Sequence, residues 1–308
     1  MVGKNGLEAS YEEYLRGVDG KSYIEVNAQG APQTTVAFEE PVPGKTLALT
    51  VDAELQKKVS EVLKAYLAAA RKTRAAAVVL NPQNGDILAM VSLPGYDANL
   101  FSKGAERGET YRALLENPDH PLFARAISGT YPSGSTIKPA IAAAALDARV
   151  IVANTSVFSA GGIRVGQWFF PDWKAGGHGA TNVIKAIAES VNTFFYMVGG
   201  GHEAFSGLGI DRLTTYLTGF GFGARTGIDI PGEAKGLVPN PQWKAERSDE
   251  PWYIGDTYHL AIGQGDFLVT PLQIARMTAY FASGGKWPRP HLAFQSSNHP
   301  IIQRWPRH

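Results

Sequence analysis

The order of elements written in this sequence predicts a mixed α/β fold of the α+β kind, an antiparallel sheet flanked by helices with a helical region beside it. A period-two run, Thr46-Leu47-Ala48-Leu49-Thr50-Val51, leads into a helical pattern headed by Asp52. Two β-rich runs, Ala75 to Leu80 and Ile87 to Val91, are then joined through Asn81-Pro82-Gln83-Asn84-Gly85-Asp86, a hairpin signal. Strand, long helix, hairpin is the order of antiparallel pairing with helices packed against the strands, and not of a repeating parallel βαβ unit.

Residues 1–44 read as a tail or linker ahead of a compact domain at 45–308. Gly6 to Leu15 suits a short helix and Ser22 to Val26 a short strand, but neither carries enough apolar surface to fold alone, and Gly30, Pro32, Pro41, Pro43 and Gly44 break the chain repeatedly. The helix after Asp52 runs to about Ala70, with Leu55, Val59, Val62 and Leu63 on its apolar face. Pro94 to Pro121 reads as loop and short helix. An alanine-rich helical segment follows Pro139, Val157 to Gly179 reads as a loop, and Asn182 to Val198 shows a second helical spacing in Val183, Ile184, Ile187 and Val191.

Composition narrows the function classes. The 308 residues are 44% hydrophobic and 19% charged with a formal net charge of +1, an ordinary globular balance that gives no electrostatic case for nucleic acid. There are no cysteines, which excludes disulfides, thiolate metal sites and cysteine nucleophiles, and the seven histidines have no zinc-finger spacing. No signal peptide or membrane span is written in the chain; an anchor of a parent protein would lie outside it.

The chemistry concentrates in Tyr131-Pro132-Ser133-Gly134-Ser135-Thr136-Ile137-Lys138-Pro139-Ala140. Residues three apart share a helix face, so the Lys138 amine can reach the Ser135 hydroxyl at the first turn. A serine becomes a nucleophile when a neighbouring base takes its proton, and a lysine serves as that base once burial leaves it neutral. Taken alone, Ser-x-x-Lys also suits a helix cap followed by a solvated lysine. Ser190-Val191-Asn192 comes 55 residues later. Two residues apart, a hydroxyl and an amide do not share a face of a regular helix, so this second motif is useful only in a loop or at a helix junction.

Ser-x-x-Lys followed by Ser-x-Asn is the order seen in penicillin-binding proteins and serine β-lactamases. Further segments widen the resemblance: Pro94-Gly95-Tyr96-Asp97, Gly177-His178-Gly179, Thr193-Phe194-Phe195-Tyr196, Thr226-Gly227-Ile228-Asp229, Pro231-Gly232-Glu233, Pro251-Trp252-Tyr253-Ile254-Gly255-Asp256, and Gly263-Gln264-Gly265 with Thr270-Pro271-Leu272-Gln273. From about Gly6 to Leu292 the chain resembles the penicillin-binding protein 2 family, the class B transpeptidases of cell elongation. The resemblance implies the transpeptidase fold shared with serine β-lactamases, with residues 1–44 a remnant of the non-catalytic pedestal region.

It also implies a D,D-transpeptidase mechanism without a cofactor. Ser135 would attack the penultimate D-alanine carbonyl of a peptidoglycan stem peptide, and Lys138 would take its proton. Ser190 would relay protons to the leaving and incoming amines, and Asn192 would hold Lys138 or the substrate amide. The Ser135 N–H would form one arm of the oxyanion hole, and Gly134, Trp173, Gly263, Gln264 and Gly265 would line the substrate cleft. β-Lactams would acylate the same serine. Implied partners are stem peptides, β-lactams, and a membrane-embedded SEDS-type glycan polymerase with other elongation proteins, at the periplasmic face of the bacterial inner membrane.

Two departures from the family pattern stand out. The Lys-Thr-Gly motif of the family's cleft strand does not follow Gly263-Gln264-Gly265; Arg225-Thr226-Gly227 precedes it, and Lys72-Thr73-Arg74 lacks the glycine. Ala293 to His308 look unlike the family, which suggests a truncated, frameshifted or spliced chain without the last strand and helix. Some relatives carry zinc beside the active centre, using a cysteine where this chain has Val191. Asp172 and His178 alone are too few ligands, so the expectation is no metal and hydrogen bonding that shapes the loop. A carboxypeptidase or β-lactamase-type hydrolase on the same fold, or a catalytically inactive β-lactam-binding module, are the alternatives to a transpeptidase.

Overall fold

The structure is a computed structural model that describes residues 2–102 and 107–294. Two short helices, α1 (Gly6–Ser10) and α2 (Glu12–Leu15), open the chain where one was expected; Tyr11 breaks them. Strand β1 (Lys21–Val26) pairs antiparallel with β2 (Pro32–Glu39), both solvent-exposed throughout. Pro32, read from the sequence as a breaker, instead opens β2, the strand position where a missing N–H costs least. The turn between them is tied by the Asn27 side chain, which accepts from the Gln29 and Ala31 amides.

Among the described residues the alternating run Thr46 to Val51 does not form a ladder. It meets its neighbours at single points, a bridge from Leu49 to Ala293 and a bond from the Thr50 amide to the Leu292 carbonyl. Helix α3 (Ala53–Ala69) follows as expected, with Asp52 accepting from the Leu55 amide. Leu55, Val59, Leu63 and Leu67 are half-buried on its inner face, whereas Val62 faces solvent. Strands β3 (Ala75–Leu80) and β4 (Ile87–Leu93) make the antiparallel hairpin, and among the described residues β3 pairs with β4 alone.

Helices α4 (Arg107–Glu116) and α5 (Arg125–Ser128) lead to a 3-10 turn, Gly134–Ile137, that runs directly into α6 (Lys138–Asp147). Because α6 is alanine-rich and apolar on all sides, it can be buried on all sides. The stretch read as a loop contains four short strands, β5 (Val157–Ser159), β6 (Gly162–Val165), β7 (Trp168–Pro171) and β8 (Gly179–Thr181). They nest as β5 with β8 and β6 with β7. Their glycine-rich turns hid them from a reading by hydrophobic alternation.

The segment read as one helix from Asn182 is two, α7 (Val183–Ala188) and α8 (Asn192–Gly200), separated at Ser190, whose φ of 54° lies in the left-handed region. A helix cannot pass through that conformation. Helices α9 (Gly209–Gly219), α10 (Pro241–Ala245), α11 (Ile254–Ala261) and α12 (Pro271–Ala282) complete the described fold. Among the described residues no helix is long and apolar enough to cross a membrane. The closing residues whose likeness to the family was doubted lie, from 295 onward, outside the described residues.

Two apolar cores result. The larger gathers Ile137, Ile141, Phe194, Phe195, Leu213 and Tyr258 around α6 and α8. Helices α8 and α11 approach so closely that a Cβ on Gly199 would stand 2.4 Å from that of Ala261, which only glycine permits. The smaller core packs Ile87, Ile127, Ile230, Leu272 and Leu292 beneath the hairpin. Beside it the buried Asp229 accepts from the Leu292 amide (2.8 Å), the Ala293 amide (2.8 Å) and the Tyr11 hydroxyl (2.7 Å). Asp229→Ala leaves three buried donors unpaired and is expected to lower unfolding free energy by about 3 kcal/mol, against about 1 kcal/mol for Tyr11→Phe. Urea denaturation midpoints of the two variants check the ordering.

Candidate active site

The site forms where α6 begins and α7 ends. In a 3-10 turn side chains three apart eclipse, and this turn stacks Ser135 and Lys138 on one side. Ser135 is exposed while Lys138 is 2% exposed, so the hydroxyl faces the cleft and the amine lies beneath it. The Lys138 Nζ donates to the Ser190 carbonyl (2.8 Å), the Ser190 Oγ (3.0 Å) and the Asn192 Oδ1 (2.6 Å). It also sits 5.3 Å from the centroid of the Phe195 ring. Ser190 Oγ is in turn 2.9 Å from Ser135 Oγ. The sequence placed the lysine directly against the nucleophile; in the structure the Ser190 hydroxyl bridges them.

This bridge depends on the break between α7 and α8. With Ser190 in the left-handed region, both its carbonyl and its hydroxyl turn toward Lys138, and Asn192 begins the next helix on the same side. A non-glycine residue held there costs roughly 1–3 kcal/mol, a pattern that clusters at functional sites. Burial pushes the Lys138 amine down to about 8, while the Asp172 carboxylate pulls the other way. An amine near 8 is partly neutral at physiological pH and can accept a proton.

The Ser135 turn is held from the other side by the segment at Gly263. The Gly134 amide donates to the Gly263 carbonyl (2.8 Å), and Tyr131 and Val269 exchange two backbone bonds of 2.9 Å. Gly263 itself has a φ of 73°, and a Cβ there would stand 2.2 Å from the Gly134 carbonyl oxygen. Gly134 and Gly263 thus meet each other, whereas Gln264 and Gly265 are exposed beside them. Trp173 is 64% exposed, and its indole N–H lies 3.1 Å from the Glu189 carbonyl and 3.2 Å from the Ser190 carbonyl.

Asp172 and His178 come together, with His178 Nε2 3.5 Å from Asp172 Oδ1, but the residues present do not fit a zinc ion. Asp172 Oδ2 is taken by the Thr193 amide (2.8 Å) and hydroxyl (2.7 Å), and His178 Nδ1 by the Glu189 carboxylate (2.7 Å). Position 191 offers a buried valine rather than a donor, and no group of three or more His, Cys, Asp or Glu able to hold a metal exists among the described residues. The sequence analysis gave no role to Glu189, Thr193 or Phe195. Their spacing from Asp172, His178 and Lys138 follows no local period; only the adjacency of Glu189 and Thr193 to Ser190-Val191-Asn192 hinted at them.

Gly263→Ala is expected to drive the 263 segment off the Gly134 carbonyl and lower stability by roughly 2–3 kcal/mol, since both the steric clash and the positive φ oppose a side chain. Gly108→Ala, at an exposed helical glycine with open space around it, serves as the neutral control. Thermal midpoints of both, measured side by side, test the assignment.

Comparison with known proteins gives this geometry a family. The model described as "Penicillin binding protein transpeptidase domain" matches residues 75–304, and "Penicillin-binding Protein dimerisation domain" matches residues 1–49. The chain is 41% identical over 298 residues to "Peptidoglycan D,D-transpeptidase MrdA" of Haemophilus influenzae, covering 94% of this chain and 43% of that protein. To the Escherichia coli K12 protein of the same name it is 39% identical, covering 96% and 45%. The chain therefore spans less than half the length of these relatives. Among solved structures, a penicillin-binding protein (PBP2) from Helicobacter pylori in complex with MreC superposes with a TM-score of 0.81 at 36% identity, over 95% of this chain and 52% of that one. Pseudomonas aeruginosa PBP2 in complex with WCK 5153 gives 0.79 at 37%, over 98% and 61%. Matched across most of its length by sequence and by fold, the chain belongs to the penicillin-binding protein transpeptidase family.

Proposed function

We propose that this chain carries the acyl-transfer centre of an elongation-type peptidoglycan D,D-transpeptidase, with residues 1–44 a remnant of the pedestal and 45–308 the transpeptidase domain. The observation that carries the reading is the unbroken path from the exposed Ser135 hydroxyl through Ser190 Oγ to the buried Lys138 amine. When Ser135 Oγ attacks the penultimate D-alanine carbonyl, its proton passes to Ser190 Oγ as the Ser190 proton passes to neutral Lys138 Nζ. The negative charge on the tetrahedral oxygen is met by the Ser135 backbone N–H. Return of the proton by the same path to the departing amine releases D-alanine and leaves an ester on Ser135. The amine of a second stem peptide then attacks that ester and gives its proton to the Ser190–Lys138 pair, which returns it to Ser135 Oγ as the ester bond breaks, leaving the amide cross-link and the free serine.

Asn192 supports the path by accepting from Lys138, which with the Ser190 carbonyl fixes the orientation of the amine. A β-lactam reaches the same serine through its strained amide and stays attached because that acyl-enzyme is not deacylated. The partners that fit this reading are stem peptides, β-lactams, a membrane-embedded SEDS-type glycan polymerase and other elongation proteins, at the periplasmic face of the inner membrane. The complex of a homologous PBP2 with MreC and the structure titled as a peptidoglycan synthase complex, with a TM-score of 0.82, support such an assembly.

Covalent labelling with a fluorescent penicillin tests the reading. The parent chain is expected to label, and Ser135→Ala and Lys138→Arg to lose the label, the latter because a permanent cation cannot take a proton. The labelling rate should rise about tenfold per pH unit below about 8 and level off above it, as Lys138 loses its proton. A companion chain extended through a Lys-Thr-Gly strand separates an inactive module from a wrong assignment. Label on the extended chain alone makes these 308 residues an inactive module, and folded but unlabelled protein in both removes Ser135 as the nucleophile. Rapid β-lactam turnover would make the protein a hydrolase.

A further inference from the structure

The Ser190 turn is strained, and on the α7 side it is held by two backbone bonds, from the Ser190 amide to the Ile187 carbonyl (3.4 Å) and from the Val191 amide to the Ala186 carbonyl (3.0 Å). Helix α8 starts immediately after it, yet its N-cap residue is Val191, whose side chain accepts no hydrogen bond. The missing partner comes from a different part of the chain. Asp172 Oδ2 accepts the Thr193 amide at 2.8 Å and the Thr193 hydroxyl at 2.7 Å, so a loop carboxylate occupies the position of the absent cap. That carboxylate is fully buried. Burial pushes the Asp172 carboxyl up, but bonds from Thr193, Asn192 and Trp173 outweigh it and hold the group below the ordinary carboxylate range.

Asp172 also reaches the turn from its other end. Its Oδ1 accepts the Trp173 amide at 2.8 Å, and the Trp173 indole stands 3.2 Å from the Ser190 carbonyl, the same oxygen that accepts from Lys138. His178 backs the arrangement, with its ring edge-on to that indole at 5.3 Å and its Nδ1 on Glu189, the residue before Ser190. One carboxylate therefore grips Thr193 just after the turn and Trp173 just above it.

We propose that Asp172 is the positioning residue of this centre, clamping the Ser190-Val191-Asn192 turn through Thr193 and Trp173 so that Ser190 Oγ stays between Ser135 and Lys138. The proposal rests on the reading of those four residues as the acyl-transfer machinery. Without the clamp the turn relaxes toward unstrained backbone, and a displacement of about 1 Å at Ser190 is enough to break the proton path.

The test uses the full chain as parent, Asp172→Ala, Asp172→Asn and Thr193→Val, with two measurements on each. Backbone amide exchange over residues 190–193, read by mass spectrometry, reports the turn. Penicillin acylation, resolved into a saturation constant and a first-order constant, reports the chemistry. In Asp172→Ala, exchange should quicken at least about tenfold. The first-order constant should fall about tenfold or more while the saturation constant moves less than about twofold. Asp172→Asn keeps an acceptor for the Thr193 amide and should recover most of both losses; Thr193→Val should show a smaller change in the same direction. If Asp172→Ala does not fold, Asp172→Asn and Thr193→Val carry the test by the same two readouts. A folded Asp172→Ala with parental exchange and a parental first-order constant overturns the clamp, as does an equal fall in every constant without faster exchange. If the parent takes no label, the same variants are acylated in the chain extended through a Lys-Thr-Gly strand; if that chain is also unlabelled, the transpeptidase reading fails and the exchange measurement alone decides whether Asp172 holds the turn.

Discussion

The structure turns on one buried amine. Lys138 is almost completely enclosed, and a lysine enclosed in protein is tolerated only when its N–H groups are satisfied and its charge is discouraged. Three oxygens, from the Ser190 backbone, the Ser190 side chain and Asn192, meet the first condition, and loss of solvent within the larger core meets the second. The same enclosure makes the group a base. Stability and chemistry are therefore opposed here, since every added contact that stabilised the ammonium would raise its pKa and remove it from use.

The requirement for those oxygens explains the shape of the surrounding chain. A continuous helix from Asn182 would have buried its carbonyls in its own ladder and pointed Ser190 and Asn192 to different faces. Breaking the helix at Ser190 frees one carbonyl and brings the two polar side chains to one side, at the cost of a strained φ. The apolar core then has to be thick enough to carry a discontinuous pair of helices, and the alanine-rich α6, pressed against α8, allows that close approach.

Legibility from sequence followed the range of the interaction. Asp52 and its helix, the hairpin at Asn81 to Asp86, and the Ser135 to Lys138 spacing were all readable because each is decided within a few residues. The conclusion that Ser190-Val191-Asn192 needs a loop or a helix junction followed from helical geometry alone, and the structure supplies the junction. What escaped was non-local. Pro32 looked like a terminator because its partner Val26 was not visible as one, and the neighbours that Thr46 to Val51 meets lie some 240 positions away, as the Thr50 bonds to His291 and Leu292 show. The bridging place of Ser190, and the grip of Asp172 on Thr193 across 21 positions, could be known only once the chain had folded back on itself.

The carboxylate of Asp229 joins three stretches that are remote in sequence, Tyr11, the loop it sits on, and the amides of Leu292 and Ala293. Tyr11 lies in the segment matched by the dimerisation model, and the other partners lie in the segment matched by the transpeptidase model. A pull on the first segment is therefore delivered straight to the strip of backbone that also braces Thr50 and the hairpin, rather than being dissipated along the exposed residues between them. In mechanical terms the two segments share a rivet, and a displacement of the first becomes a shear on the floor of the second.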